Sequence, residues 1–228
     1  MLKQIVAVIP AYCEEKAIAA SVADALQFVS AVVVVDDCSK DKTSEEATKA
    51  GAYVLRHAGN RGQGAALQTG TRYALEELHA DVVVHFDADG QMRGSEIPEI
   101  IAPVLAGEAD IALGSRFLGK DAENIPFRRK WLTVKPAILL TAFISGMKLT
   151  DTHNGFRALS RSAARKIVLT LDRMAHASEI IDQVKVHKLR YVEVPVTIRY
   201  TAETLAKGQS FWGGFIVLAD LAKHRFFN

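Results

Sequence analysis

Apolar runs and amphipathic segments alternate along the first half of the chain. The runs "IVAVIP" (5–10), "AVVVVDD" (31–37), "YVLRHA" (53–58) and "DVVVHFDADG" (81–90) predict strands. Between them, 14–29, 40–52 and 62–79 carry apolar residues at helical spacing and predict helices, the second ending near Gly51. The continuous Val and Ile stretches suggest strands covered on both faces, as in a parallel sheet with crossover helices.

The second half is less regular. A helix is expected over 96–106 and a strand over 110–117, followed by a polar stretch, 118–130, without strong periodicity. An unusually apolar helix is expected over 131–149, a short strand over 154–161 with a helix after it, a helix over 174–188 and an extended segment over 190–200. The tail, 210–228, reads as an amphipathic helix. No repeat, low-complexity linker or clear boundary divides the chain. The expectation is a single α/β domain over 1–228, with a Rossmann-like, doubly wound, mostly parallel sheet flanked by helices.

Composition narrows this further. The 228 residues suffice for a sizeable core, and 49% hydrophobic with 24% charged is ordinary for a soluble globular protein. A net charge of +2 gives no footing for nucleic-acid binding. Cys13 and Cys38 read as free thiols of an intracellular protein, and the N-terminus as a first strand rather than a signal peptide. No stretch reaches the roughly 18 uninterrupted apolar residues of a spanning helix. The expected location is cytoplasmic.

In a parallel α/β sheet, ligands bind beyond the carboxyl ends of the strands. The first strand ends in Pro10-Ala11-Tyr12-Cys13-Glu14, the second in Asp36-Asp37, the fourth in Asp87-Ala88-Asp89-Gly90-Gln91. The strand at 110–117 ends in Gly114-Ser115-Arg116. Turn chemistry explains any one of these acids. It explains the set poorly, because acids gathered at one edge repel unless cations compensate. Asp87 and Asp89 are therefore candidates for a divalent-cation site. The loop "HAGNRGQGAALQTG" (57–70) puts glycines and Arg61 at the start of a helix, the composition of a phosphate-facing N-terminus. Its Gly62-x-Gly64 lacks the third glycine of a dinucleotide fingerprint and follows the wrong strand, which argues against NAD.

The segments "VIPAYCEE", "VVVVDDCSKDKT", "NRGQGAALQTG", "FDADGQ", "GSRF" and "DTHNGFRAL", in this order and spacing, resemble family 2 glycosyltransferases. These are inverting enzymes of the GT-A fold, and the chain is most similar to their dolichyl- and polyprenyl-phosphate sugar transferase branch. The likeness implies a nucleotide-sugar-binding half at 1–117, an acceptor-binding half at 118–210 and a C-terminal amphipathic helix at 211–228. It implies that Pro10, Ala11, Tyr12 and Glu14 hold the base and ribose and that Asp36 reads one of them. Arg61, Gly62 and Ala88 would border the donor, with Arg199 and Lys207 reaching its diphosphate. Asp87, Asp89 and Gln91 match a D-x-D-x-Q motif that would hold Mg²⁺ or Mn²⁺, Asp89 being central to catalysis. Cys13 stands where the family usually has Asn, and Gln63 where a basic residue is common.

The implied reaction is displacement at an anomeric carbon with inversion, a nucleoside diphosphate leaving. A lipid phosphate is already an anionic nucleophile, whereas a sugar hydroxyl needs a general base. For a base, the candidates are Asp151 and, on 174–188, His176 and Glu179. For a phosphate acceptor, Arg116, Arg128, Arg129 and Lys130 supply cations, with Asn154 and Arg157 nearby in "DTHNGFR". The bland readings are a solvated charge run at Arg128–Lys130, a surface acid at Glu179 and an Arg157–Asp151 structural pair. The expected acceptor is a polyprenyl or dolichyl phosphate, with a glycan or glycolipid hydroxyl as the alternative. A non-catalytic nucleotide-sugar-binding subunit is a further alternative, disfavoured by the intact Asp87, Asp89 and Gln91. The aromatic and cationic residues of 211–227 suit a helix lying on the inner face of a membrane, a contact with a membrane subunit, or a homodimer contact.

Overall fold

The computed structural model describes residues 3–118, 149–152, 154–170, 176–197 and 199. The expected helix over 210–228 and all but Leu149 of that over 131–149 lie outside these residues, as do Arg128, Arg129, Lys130 and Lys207. Among the described residues, β1 (Ile5–Ala11), β2 (Ala31–Asp36), β3 (Tyr53–Arg56), β4 (Val82–His85), β5 (Ile111–Ser115), β6 (Arg157–Ser160) and β7 (Tyr191–Pro195) form one sheet ordered β3-β2-β1-β4-β6-β5-β7. β1 runs parallel to β2 and β4, β2 to β3, and β5 to β7. β6 is antiparallel to both its neighbours. The sheet is thus mostly parallel, as expected.

The helices are α1 (Ile18–Leu26), α2 (Thr43–Lys49), α3 (Gln63–Glu76), α4 (Ile97–Leu105), α5 (Arg161–Lys166) and α6 (His176–Val186). They cover both faces of the sheet, which is why the strand runs are apolar throughout. On one face Val33, Val35, Val83 and Leu159 pack with Ala66 and Leu75 of α3, Ala163 of α5 and Ile180 of α6. On the other, Val32, Val34, Val84 and Ala158 pack with Val22 of α1, Ala47 of α2 and Ile100 of α4. The two layers meet the strands at alternate residues, as the pleat requires.

Several element ends differ from expectation, two of them for local reasons that bear on the site. The helix expected from 14 begins at Ile18. Residues 13–15 instead pin their backbone N–H groups to the β2–α2 loop: Cys13 to the Ser39 hydroxyl (2.9 Å), Glu14 to the Thr43 hydroxyl (2.9 Å) and Glu15 to Asp41 (3.2 Å). The strand expected over 81–90 ends at His85. Gly90 takes a φ of 73°, and the Asp89 carboxylate accepts from the Gln91 N–H (3.1 Å), so this segment is a turn.

α3 approaches the sheet closely because Gly70 has no side chain. A Cβ there would lie 2.4 Å from Val8 Cγ1 and 3.0 Å from Val35 Cγ2. Ala favours helix over Gly by about 1 kcal/mol, but overpacking a tight core costs about 1–3 kcal/mol. With backbone-borne strand residues on the far side, the clash wins. Gly70→Ala should lower unfolding free energy by about 1–2 kcal/mol, read from the urea midpoint at unchanged m-value.

Candidate active site

Parallel pairing brings the carboxyl ends of β1, β2 and β4 together, with Ala11 opposite Asp36 and Val8 opposite His85. Beyond β1, Tyr12 is half exposed, and Pro10 and Glu14 are partly buried. The two acids ending β2 have different tasks. Asp36 is fully buried: its carboxylate accepts from the Ser39 N–H (2.8 Å) and the Ser44 hydroxyl, with the Arg56 guanidinium at 3.8 Å. It holds the 37–44 loop from inside.

Asp37, named from the sequence only as an acid ending the second strand, anchors the glycine-containing loop. Its carboxylate accepts from the Arg61 N–H (2.9 Å), the Gly62 N–H (2.6 Å) and the His57 ring (2.8 Å), whose other nitrogen lies 3.0 Å from the Thr69 hydroxyl. This fixes Gly62 (φ 89°) as the residue before α3 and leaves the Arg61 side chain exposed. The start of α3 therefore faces the β4 end, and Gln63 Nε2 donates to Asp87 Oδ1 (3.0 Å).

Asp87 is a strongly perturbed acid at this edge. Burial, then the neighbouring Asp89, push its carboxyl up to about 6, while Arg157 and the Gln63 hydrogen bond oppose that rise. Asp89 and Gln91 are partly buried beside it. The motif loop is tied down from several elements. The Ser21 hydroxyl of α1 donates to the Ala88 carbonyl (2.8 Å), the Gly94 N–H to Asp24 of α1 (2.7 Å) and the Arg199 N–H to the Gln91 carbonyl (2.9 Å). The structure thus brings Arg199 to the motif.

Arg157 and Asp151 add charge beside this pair. Arg157 is buried; burial pulls its guanidinium down to about 10, against the attraction of Asp87 first and Asp151 second. The direct partner of Asp151 is not Arg157 but Arg116, which donates Nε–H to Oδ2 (2.7 Å) and Nη2–H to Oδ1 (2.8 Å). Arg157 sits on β6, opposite His85, where its side chain shares the buried α3 and α6 side of the sheet. His85 is held neutral: burial, then Arg157 and His176, drive its ring down to about 3. Buried Asn154 accepts from the Phe156 N–H (2.9 Å). Glu179 accepts from the Thr170 N–H (2.9 Å) and hydroxyl (2.6 Å).

Among the described residues, no group of three or more His, Cys, Asp or Glu side chains surrounds one point. The Asp87–Asp89 pair nonetheless fits a divalent cation. Two neighbouring carboxylates repel one another, a repulsion that a positive ion relieves, and with the Gln91 amide they offer the hard oxygen donors Mg²⁺ or Mn²⁺ prefers. Phosphate oxygens complete such a shell. Also among the described residues, no helix is long and apolar enough to cross a membrane.

The model for glycosyl transferase family 2 matches residues 6–168, from β1 through α5. The chain belongs to glycosyltransferase family 2. It is a glycosyltransferase of the GT-A fold. Among its relatives, an uncharacterized protein of Methanocaldococcus jannaschii is 37% identical over 98% of this chain and 93% of its own length. The UDP-N-acetylglucosamine–dolichyl-phosphate N-acetylglucosaminyltransferase of Methanococcus voltae is 33% identical over 96% and 95%. The undecaprenyl-phosphate mannosyltransferase of Micrococcus luteus is 31% identical over 85% and 83%. Glucosyl-3-phosphoglycerate synthase from Mycobacterium tuberculosis, crystallised with Mn²⁺, UDP and glucosyl-3-phosphoglycerate, superimposes with a TM-score of 0.68 over 96% of this chain and 78% of that one. At 19% identity that likeness concerns the fold.

The Arg116–Asp151 pair also sets an expectation for stability in this glycosyltransferase. The Asp151 side chain is 2% exposed and that of Arg116 28%, so removing the acid takes two charge-assisted hydrogen bonds from a partly buried guanidinium. Breaking a buried pair costs about 3–5 kcal/mol, less where one partner keeps solvent contact. Asp151→Ala should lower unfolding free energy by about 2–4 kcal/mol in urea denaturation. A variant as stable as wild type but inactive would mark Asp151 as a base instead.

Proposed function

We propose that this glycosyltransferase moves a hexose, with inversion, from a nucleotide sugar to a polyprenyl or dolichyl phosphate, in a reaction that depends on Mg²⁺ or Mn²⁺. The observation that carries the donor side is the Asp87–Asp89 pair closing β4 on an edge shared with β1 and β2. Such an edge is where an α/β sheet binds ligands, and paired carboxylates there are stable chiefly with a cation between them and a diphosphate. A divalent cation at Asp87, Asp89 and Gln91 would supply Lewis-acid stabilisation of the charge on the departing diphosphate. Tyr12 and Glu14, with the loop that Asp36 holds, border the base and ribose. The exposed Arg61 and the start of α3 face the phosphates. Arg199, whose N–H is held by the Gln91 carbonyl, would reach the same group.

On the acceptor side, an oxygen of the lipid phosphate attacks the anomeric carbon as the bond to the diphosphate breaks. The products are a sugar-phosphate lipid and a nucleoside diphosphate. Relatives named as dolichyl-phosphate and undecaprenyl-phosphate transferases support this acceptor. So does the state of the candidate bases: the Asp151 carboxylate is engaged by Arg116, and that of Glu179 by Thr170. An anionic nucleophile needs neither. Arg116, Asn154 and Arg157 border the acceptor side, Arg157 acting from beneath through Asp87 and Asp151. Arg128, Arg129 and Lys207 belong to this proposal from the sequence. The lipid acceptor places the enzyme at a cytoplasmic membrane surface while it works. The donors to test first are GDP-mannose and UDP-hexoses.

Asp89→Asn tests the reading. It should abolish sugar transfer to a short prenyl phosphate and abolish the Mn²⁺-dependent rise in melting temperature with UDP or GDP, at an unchanged metal-free melting temperature. Near wild-type turnover in Mn²⁺ would overturn the metal assignment. Transfer to a glycan hydroxyl, with prenyl phosphate never used, would overturn the acceptor.

A further inference from the structure

Resting on that metal reading, we propose that Gln63 is a positioning residue for it, orienting the Asp87 carboxylate before any cation arrives, with Gly155 as the opposite wall. A carboxylate on a free side chain rotates about its terminal bond, so a cation must fix it on binding. Asp87 does not have that freedom. Gln63 Nε2 donates to Oδ1 at 3.0 Å. On the other side, a Cβ added to Gly155 would lie 2.6 Å from Oδ2 and 3.0 Å from Oδ1. The carboxylate therefore rests against a glycine backbone that no other residue type could supply without displacing it.

The donor is as firmly placed as the acceptor. Gln63 is the first residue of α3, and the two N–H groups just before it, on Arg61 and Gly62, are both held by the Asp37 carboxylate. A carboxylate has about four lone-pair positions, and one amide hydrogen bond occupies one of them. The rest stay available to a cation. An amide suits this role better than a base at the same point. It orients the acid through a hydrogen bond without adding a positive charge that would repel the incoming metal. Partners of this kind are typically worth 10–100-fold in metal affinity.

The test uses Gln63→Leu, which keeps helix propensity at the start of α3 and removes the donor. Mn²⁺ binding is titrated by the electron paramagnetic resonance signal of free Mn²⁺, with UDP or GDP present. The dissociation constant for Mn²⁺ should rise about tenfold or more, while the metal-free melting temperature stays at the wild-type value. In the transfer assay the apparent KM for Mn²⁺ should rise by a similar factor, with the acceptor KM unchanged. Gly155→Ala, acting from the other wall, should weaken Mn²⁺ binding in the same direction. A wild-type enzyme that binds Mn²⁺ beside a Gln63→Leu variant that binds it equally well overturns the positioning role alone. A wild type with no Mn²⁺ binding beside either nucleotide overturns the metal reading and this role together.

Discussion

Two carboxylates one residue apart, at the end of a buried strand, set the terms for everything around them. Asp87 and Asp89 repel, and Asp87 is also desolvated. The fold answers with a buried cation rather than a surface one. Arg157 lies beneath the edge, and its own burial penalty is partly offset by Asp87 and Asp151. Its guanidinium, even pulled down to about 10, stays charged at neutral pH. Arg116 then neutralises Asp151 from the other side. Three carboxylates against two guanidinium groups leave the cluster one negative charge in excess, which is the condition under which a cation is attracted and an anionic diphosphate alone is not.

Holding such a cluster requires backbone where side chains would not fit. Gly155 lets the chain pass against Asp87, and Gly70 lets α3 lie close enough to β1 and β2 for its first turn to meet the β4 end. The parallel pairing of β1 with β2 and β4 is what makes the three strand ends coincide. The site is thus a product of register. A slip of one residue in β4 would exchange the faces of His85 and Asp87 for those of Val84 and Phe86.

Much of this was legible in the sequence. The strand and helix order of the first half follows from Val and Ile runs separated by amphipathic segments, because both faces of a parallel sheet are buried. The acids at the strand ends could be named for the same reason. What could not be read was how those acids divide their work. Asp36 and Asp37 are neighbours in the chain, yet one holds its own loop and the other holds residues 61 and 62. The pairing of Arg116 with Asp151 spans 35 positions and depends on β6 reversing direction between β4 and β5. No local pattern encodes either fact: the bland Arg157–Asp151 reading names an arginine that feels the Asp151 charge, whereas the hydrogen-bonded partner is Arg116.

The motif turn itself is held more firmly than a surface loop needs to be. Its Ala88 carbonyl and the Gly94 N–H are bound to α1, its Gln91 carbonyl to the segment after β7, and its Asp87 side chain to α3. The ties come from three parts of the chain, α1, α3 and the segment after β7, and each engages a backbone group or the carboxylate instead of an apolar contact. Hydrogen bonds fix direction as well as distance, which packing does not. For a reaction whose barrier lies in charge building on a leaving diphosphate, groups already aimed need no reorganisation when that charge appears. That advantage requires the turn to be rigid from all sides at once, because one loose tie would let the two acids rotate apart to relieve their repulsion. The number and the independence of the ties follow from the repulsion they restrain.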